Sequence, residues 1–490
     1  MLAILPNRHR VVRFVAIGLA LYVLFSFAAY VADGSLPHAA LTATLGFIPI
    51  AVYVALRWPM VFPFGLYVAL VPVEALLLTG GNSGATVAKY GAILLGAAFL
   101  ARVITARRAL VPPRAWWAWA AFTLFAVASL AWSVYQPETF ATLLMLLQLF
   151  ALYTVASIYP IAPLEALAMR RVVEGASVVV ACYGIYAYMA GQQLQQGRLS
   201  LSEGKQHIDP NHYAAYFAIP IALLLARFLT EQRLSRRIIS AGALALCALN
   251  IFFTGSRGVF VAIAAALVYL AIRTRKYGMT AAMCAGLVAI SFVVPNTWQR
   301  FLDPSQGDAS GRTDIWTVAL HAFPHFWLAG SGFATFQVVY DQYLLGSYQH
   351  SFAGFTRPSH NVFIGTSVEL GIIGLVLVLV AWFLSVRQTW NVPRDHPAAP
   401  VAYGAEAACV ALFVCALSLD MLWFKYLWLA LMLVVLTSNA VRARTLWAAP
   451  GHARAAKPLP TKSTAYAAAG KPAAKSPPPP TVRRTAKRIS

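Results

Sequence analysis

Charged residues are scarce in this sequence, and acidic residues are the scarcest. Only 11% of the 490 residues are charged while 60% are hydrophobic, whereas soluble domains have about 25% charged and about 45–50% apolar residues. This shortage of charge excludes a soluble globular protein, and the high hydrophobicity excludes an intrinsically disordered chain. The fold class that remains is an all-α polytopic membrane protein.

The 16 acidic residues face 38 Lys and Arg residues, which gives a net charge of +22. Residues 441–490 contain eleven basic and no acidic residues. This segment predicts a disordered basic cytoplasmic tail, either attracted to anionic membrane lipids or solvated without a partner. No soluble basic domain carries the remaining charge, so nucleic acid is not an expected partner.

Sequence patterns for common catalytic and metal sites are also missing. The five cysteines lie in apolar runs without Cys-x-x-Cys spacing, so we expect small buried residues rather than metal ligands. Walker, dinucleotide-binding, His-Glu-x-x-His and Gly-x-Ser-x-Gly patterns do not occur where their chemistry requires them, which disfavours ATPases, dehydrogenases, zinc proteases and serine hydrolases. No metal and no cofactor is expected.

Apolar runs of about 17–25 residues, the length that crosses a bilayer, predict about fourteen transmembrane helices. They lie near residues 14–32, 38–56, 60–80, 84–101, 115–133, 138–158, 172–190, 211–230, 237–254, 257–272, 278–294, 361–386, 401–418 and 421–439.

Every second loop between these segments is rich in Lys or Arg, which indicates cytoplasmic loops and a cytoplasmic N-terminus at residues 1–13. The predicted organisation is then an N-terminal membrane region at 14–204, a core at 205–440, and the tail at 441–490.

Two loops on the opposite, periplasmic side are long, at residues 191–210 and 295–359, and long loops are often functional. Aromatic residues are spread through the second, and Gly311–Phe323 favours a helix. We expect this loop to lie along the membrane surface with its aromatic residues at the headgroups.

Polar and ionisable side chains gather at this side of the second half of the chain: Lys205, His207, Asp209, Arg257, Arg312, Asp314, His360 and Asn361. Arginine beside glycine-rich turns suits bidentate binding of phosphate. Histidine titrates near neutral pH and suits proton transfer. Structural alternatives stay open: interfacial snorkelling for Arg257, an ion pair with Asp308 or Asp314 for Arg312, and helix capping for His360.

Four segments resemble, in order and spacing, the core of the O-antigen ligase and O-antigen polymerase family. They are DPNHYAAYFAIPIALLL, FTGSRGVFVAIAAALVYL, SGRTDIWTVALHAFPHFWLAGSGFATF and SHNVFIGTSVELGIIGLVLVLVAWF, and they cover roughly residues 205–385. The resemblance implies a GT-C type glycosyltransferase in the bacterial inner membrane that takes a glycan from an undecaprenyl-pyrophosphate carrier. It implies that Arg257 and Arg312 hold the pyrophosphate and that His360 acts on the acceptor hydroxyl.

The predicted activity is metal-independent, inverting transfer to a lipid or glycan acceptor, with ligation placed ahead of polymerisation. Protein O-glycosylation is a less favoured alternative. A transporter of lipid-linked sugars is another, but the intramembrane candidates Glu74, Lys89, Glu174 and Glu369 are scattered along the sequence.

Overall fold

The computed structural model describes residues 51–76, 86–192, 194–195, 197–200, 209–293, 311–346 and 355–447. These residues are mostly helical. The helices are α1 (Phe64–Leu70), α2 (Val87–Ala106), α3 (Arg114–Ala128), α4 (Gln136–Ile158), α5 (Pro163–Met189), α6 (Pro210–Thr230), α7 (Leu234–Thr254), α8 (Arg257–Thr274), α9 (Tyr277–Val293), α10 (Arg312–Phe326), α11 (Phe336–Tyr343), α12 (Val362–Arg387), α13 (Ala399–Cys415) and α14 (Lys425–Trp447).

Two short strands, β1 (Leu194–Gln195) and β2 (Arg198–Leu199), form an antiparallel hairpin before α6. Residues 51–57 are also helical. The predicted span 14–32, most of the span 38–56 and the predicted tail from 448 onward lie outside the described residues.

Seven of the described helices are long and apolar enough to cross a membrane: α2, α4, α5, α6, α7, α8 and α12. Each predicted span from residue 84 onward overlaps a helix. The chain is therefore compatible with a multi-pass all-α membrane protein, while the number of fourteen spans stays a prediction.

Several predicted spans differ from the observed helices. The last, predicted at 421–439, is observed at Lys425–Trp447 and extends into the segment predicted as a disordered tail. In place of one helix over 60–80, the chain forms the seven-residue α1 and then a 3₁₀ turn at Val71–Leu76, because Pro72 cannot donate a backbone hydrogen bond. The span predicted at 172–190 begins earlier, at Pro163. Arg170 lies inside that helix and not in a loop, because it pairs with Glu174 at 3.3 Å.

Helix α6 lies at the centre of the bundle and packs against α7, α8 and α13. Its residues are buried on almost every side, as are those of α14 between Leu427 and Leu436. Cys247, Cys409 and Cys415 are buried as expected, but Cys182 is exposed on α5. An exposed face on a membrane-spanning helix contacts lipid, so the apolar pattern does not distinguish it from a buried one.

The chain that follows α10, at residues 327–332, packs against a break in α12. Gly371 interrupts the helix at a φ of 62°, a left-handed conformation that favours glycine. The backbone N–H of Ile372 donates to the Trp327 carbonyl at 2.8 Å, and the Glu369 carbonyl accepts from the Gly332 N–H at 2.8 Å. Irregular backbone inside a membrane protein needs such internal partners.

The packing of this segment against α12 differs from what was expected for the loop at 295–359. Helix α10 forms where a helix was predicted and extends to Phe326. The chain that follows does not lie wholly along a surface: Phe333, Phe336 and Tyr340 are buried. Val368 of α12 joins Phe336 and Tyr340 in one apolar cluster with α10, so this part of the loop is anchored to the bundle.

Candidate active site

Asn361 fixes the segment that carries His360 on its C-terminal side. Asn361 caps α12, because its side-chain Oδ1 accepts from the N–H groups of Phe363 at 2.9 Å and Ile364 at 3.1 Å. Its Nδ2 donates to the carbonyl of Leu417 at 3.0 Å. Asn361, predicted as an accessory residue, therefore uses its amide to position the chain next to His360.

Asp420 holds the backbone of His360 in an unusual conformation. His360 has a φ of 47°, which is uncommon outside glycine. Its backbone N–H donates to Asp420 Oδ2 at 2.7 Å, and the Ser359 hydroxyl donates to Asp420 Oδ1. The two hydrogen bonds stabilise a turn that presents the histidine side chain.

No described residue hydrogen-bonds to either ring nitrogen of His360. The charged groups that act on it are Asp420, Arg312, Asp209 and Arg357, and burial is the main cause that lowers its pKa below the ordinary value of 6.5. The ring is therefore neutral at pH 7, as a proton acceptor requires.

Arg312 begins α10 and lies close enough to Asp209, Arg257 and Asp420 for their charges to affect it. Burial lowers the pKa of Arg312, but an arginine stays protonated at neutral pH. The structure therefore brings together five residues, called here the charged cluster: Asp209, Arg257, Arg312, His360 and Asp420. All except Asp420 were predicted from the sequence.

The turn that carries Arg257 is tied to the start of α6. Gly255 ends α7 in the left-handed conformation, at a φ of 61°, and α8 begins two residues later. Arg198, which the sequence analysis missed, donates from Nε to the Thr254 carbonyl at 2.6 Å and from Nη2 to Asn211 Oδ1 at 3.0 Å. Asn211 in turn donates from its backbone N–H to Asp209 Oδ1 at 2.8 Å. These contacts connect the turn that carries Arg257 to Asp209.

His212 is a second histidine at this place, also missed from the sequence. Its ring stacks on Phe424 with 4.0 Å between centroids, and its Nδ1 lies 2.8 Å from the Tyr426 hydroxyl. Asp209, His360 and Arg312 are the charged groups that act on it. His212 therefore borders the charged cluster.

His212 also lines a cavity of about 820 Å³. Its apolar walls come from α2, α4 and α6, with residues such as Ile93, Leu100, Leu149 and Leu152. Ile93 and Leu100, which line this cavity, are exposed. The shape and lining suit a long apolar chain.

Polar side chains also line the cavity. Lys425 forms an ion pair with Glu74, and the Thr86 hydroxyl donates to Glu74 Oε1 at 2.7 Å. Lys89 and His212 line the same cavity. The lining of the cavity is therefore mainly apolar and includes a few polar groups.

Residues 242–379 match the family model described as O-antigen ligase. This part of the chain is similar to the O-antigen ligase family. The match confirms the resemblance found in the sequence, and it includes Arg257, Arg312 and His360. No curated protein matches the chain.

One predicted site residue of the matched region is in the protein interior. Asp314 is fully buried on α10, where it acts electrostatically on Tyr340. Lys205 and His207 lie outside the described residues. In the part of the chain that is described, no group of three or more His, Cys, Asp or Glu is arranged to hold a metal ion.

Proposed function

We propose that this protein transfers a glycan from an undecaprenyl-pyrophosphate carrier to an acceptor sugar at the periplasmic face of the bacterial inner membrane. One observation carries the proposal: the ring of His360, to which no described residue hydrogen-bonds, lies within electrostatic range of Arg312, in a cluster that borders an apolar cavity. The similarity to the O-antigen ligase family supports a lipid-linked glycan as the substrate. The cavity would hold the carrier chain and the cluster would hold the pyrophosphate.

In the proposed reaction, the acceptor hydroxyl attacks the anomeric carbon of the donor sugar and its proton passes to a ring nitrogen of His360. The bond between that carbon and the pyrophosphate oxygen breaks, and the oxygen keeps the electron pair. Attack opposite the leaving group inverts the anomeric configuration. Arg257 and Arg312 stabilise the charge that develops on the pyrophosphate.

Bidentate guanidinium contacts suit this role, because two planar donor groups match the oxygens of a phosphate. Pyrophosphate is already a good leaving group, so we propose that transfer needs no divalent cation. The same rate with and without a chelator such as EDTA is the expected result. A rate that collapses in EDTA and recovers with added Mg²⁺ would exclude this part of the proposal.

The test of the function is transfer by purified protein in nanodiscs, with an undecaprenyl-pyrophosphate-linked glycan as donor and a lipopolysaccharide core as acceptor. His360→Ala should lower the rate about 10²- to 10⁴-fold while donor binding remains. His325→Ala is the matched control, because His325 is an exposed histidine of α10. Equal rates for the two variants would contradict the role of His360.

The product distinguishes ligation from polymerisation, which uses the same donor. A single transfer to the core acceptor supports ligation, which the description of the matched domain favours. Growth of the glycan on its lipid carrier would instead identify a polymerase.

A further inference from the structure

His212 lies where the apolar cavity meets the charged cluster. It belongs to the first turn of α6, and its side chain lines the cavity. Asp209, His360 and Arg312 act on the same ring from the cluster. A donor lipid with its chain in the cavity and its pyrophosphate at the arginines must therefore pass this side chain.

The ring of His212 is held in one orientation before any substrate binds. It stacks on Phe424 with an angle of 14° between the ring planes. Its Nδ1 hydrogen-bonds with the hydroxyl of Tyr426 at 2.8 Å, and Tyr426 is itself buried. Two contacts on different parts of the ring fix its plane and its rotation, which lowers the entropy cost of binding a ligand.

These contacts also decide which ring nitrogen carries the proton. Among the described residues, the Tyr426 hydroxyl has no hydrogen-bond partner except His212. A buried hydroxyl hydrogen without an acceptor is unfavourable, so Tyr426 donates to Nδ1 and the proton of the neutral imidazole is on Nε2. No described residue accepts from Nε2, which leaves this N–H available as a donor.

We propose that the Nε2–H of His212 donates a hydrogen bond to the phosphate that is attached to the lipid chain of the donor. The inference rests on the proposed function and adds a binding residue to it. Arg257 and Arg312 would hold the phosphate attached to the sugar, where charge develops during transfer. A neutral donor fits the lipid-side phosphate, which lies next to the apolar cavity.

Substitution of His212 by asparagine or by glutamine distinguishes the contributions of its two ring nitrogens. The amide of asparagine occupies about the position of Nδ1, and the amide of glutamine about that of Nε2. His212→Asn keeps a partner for Tyr426 but does not reach the phosphate, whereas His212→Gln places an N–H donor at the phosphate and loses the Tyr426 contact. A purely structural histidine predicts the opposite order of effects.

The measurement is the dissociation constant of undecaprenyl pyrophosphate for each purified variant in nanodiscs, with the transfer rate measured in parallel. We expect His212→Asn and His212→Ala to weaken binding about 10- to 100-fold, as for a lost hydrogen bond to a charged group, and His212→Gln to weaken it less than about threefold. His321→Asn, a change at an exposed histidine of α10, is the matched control.

Wild-type affinity in His212→Asn overturns the proposal, even if His212→Gln fails to fold, because His212→Asn preserves the internal contact and differs only at the phosphate. If wild-type protein binds undecaprenyl pyrophosphate and transfers the glycan while His212→Gln weakens binding more than His212→Asn does, that result contradicts only the role of His212. If wild-type protein neither binds nor transfers, the proposed function falls as well.

Discussion

The backbone N–H of His360 donates to the carboxylate of Asp420 across 60 positions of sequence, at a distance of 2.7 Å. The hydroxyl of Ser359 donates to the other oxygen of the same carboxylate. Asp420 thereby fixes the main chain of His360, and no residue in the described part of the chain hydrogen-bonds to its ring. Orientation of a proton acceptor through its backbone differs from the usual carboxylate contact with a histidine ring.

We expect Asp420→Asn to lower kcat about 10- to 100-fold while the KM for the donor changes little. The asparagine side chain offers one acceptor oxygen to two donors, so one of the two hydrogen bonds is lost and His360 shifts. A displacement of about 1 Å at a reacting group can cost about 10²-fold in rate. Asp395→Asn, at an exposed acid of the α12–α13 connection, is the control. Unchanged kcat in Asp420→Asn would remove Asp420 from the site.

The pH profile of transfer follows from the lowered pKa of His360. Burial favours the neutral imidazole, so the proton acceptor stays competent as pH falls to 6.5, the ordinary value for histidine. The rate should decline only below that pH, when the ring becomes protonated. A plot of kcat/KM against pH checks this, and His360→Gln should lose the acidic limb together with most of the activity. A limb centred above 6.5 would contradict the assignment.

Lysine should not replace either arginine of the charged cluster. An ammonium group lacks the planar fork that contacts two phosphate oxygens, and loss of one such contact in a transition state costs about 10²- to 10³-fold in kcat. We expect that loss in Arg257→Lys and in Arg312→Lys, with Arg394→Lys at an exposed position as the control. Wild-type rates in both variants at normal protein levels would favour the snorkelling interpretation of Arg257.

Several members of the candidate site were predictable from the sequence, because the alternation of basic loops assigns Asp209, Arg257, Arg312 and His360 to one side of the membrane. Asp420 satisfied the same criterion: it lies in the short turn between the last two predicted spans. It was missed because a single acid in a short turn carries no motif. Arg198 and His212 act through contacts with distant segments, and no local pattern reveals such contacts.

The helix boundaries show where hydropathy fails. Arg170 and Arg171 indicate a loop before the span at 172–190, but Arg170 pairs with Glu174, and Glu174 also accepts from Arg227 of α6 at 2.7 Å. Charges that are paired within the bundle can lie inside a helix. Likewise, the pattern of α12 indicates one continuous span, and only the three-dimensional contacts of Trp327 and Gly332 explain why it breaks at Gly371.

The topology prediction places residues 295–359 in the periplasm and 441–490 in the cytoplasm, and the roles of all three predicted site residues depend on it. Reporter fusions at Gly346 and Ser463 test it, with alkaline phosphatase for the periplasm and green fluorescent protein for the cytoplasm. Between these positions the sequence predicts three spans, an odd number, so the two fusions should give opposite signals. A fusion at Arg394, in a predicted cytoplasmic loop, should match Ser463. Identical signals at Gly346 and Ser463 would contradict the span count and with it the periplasmic position of Arg312 and His360.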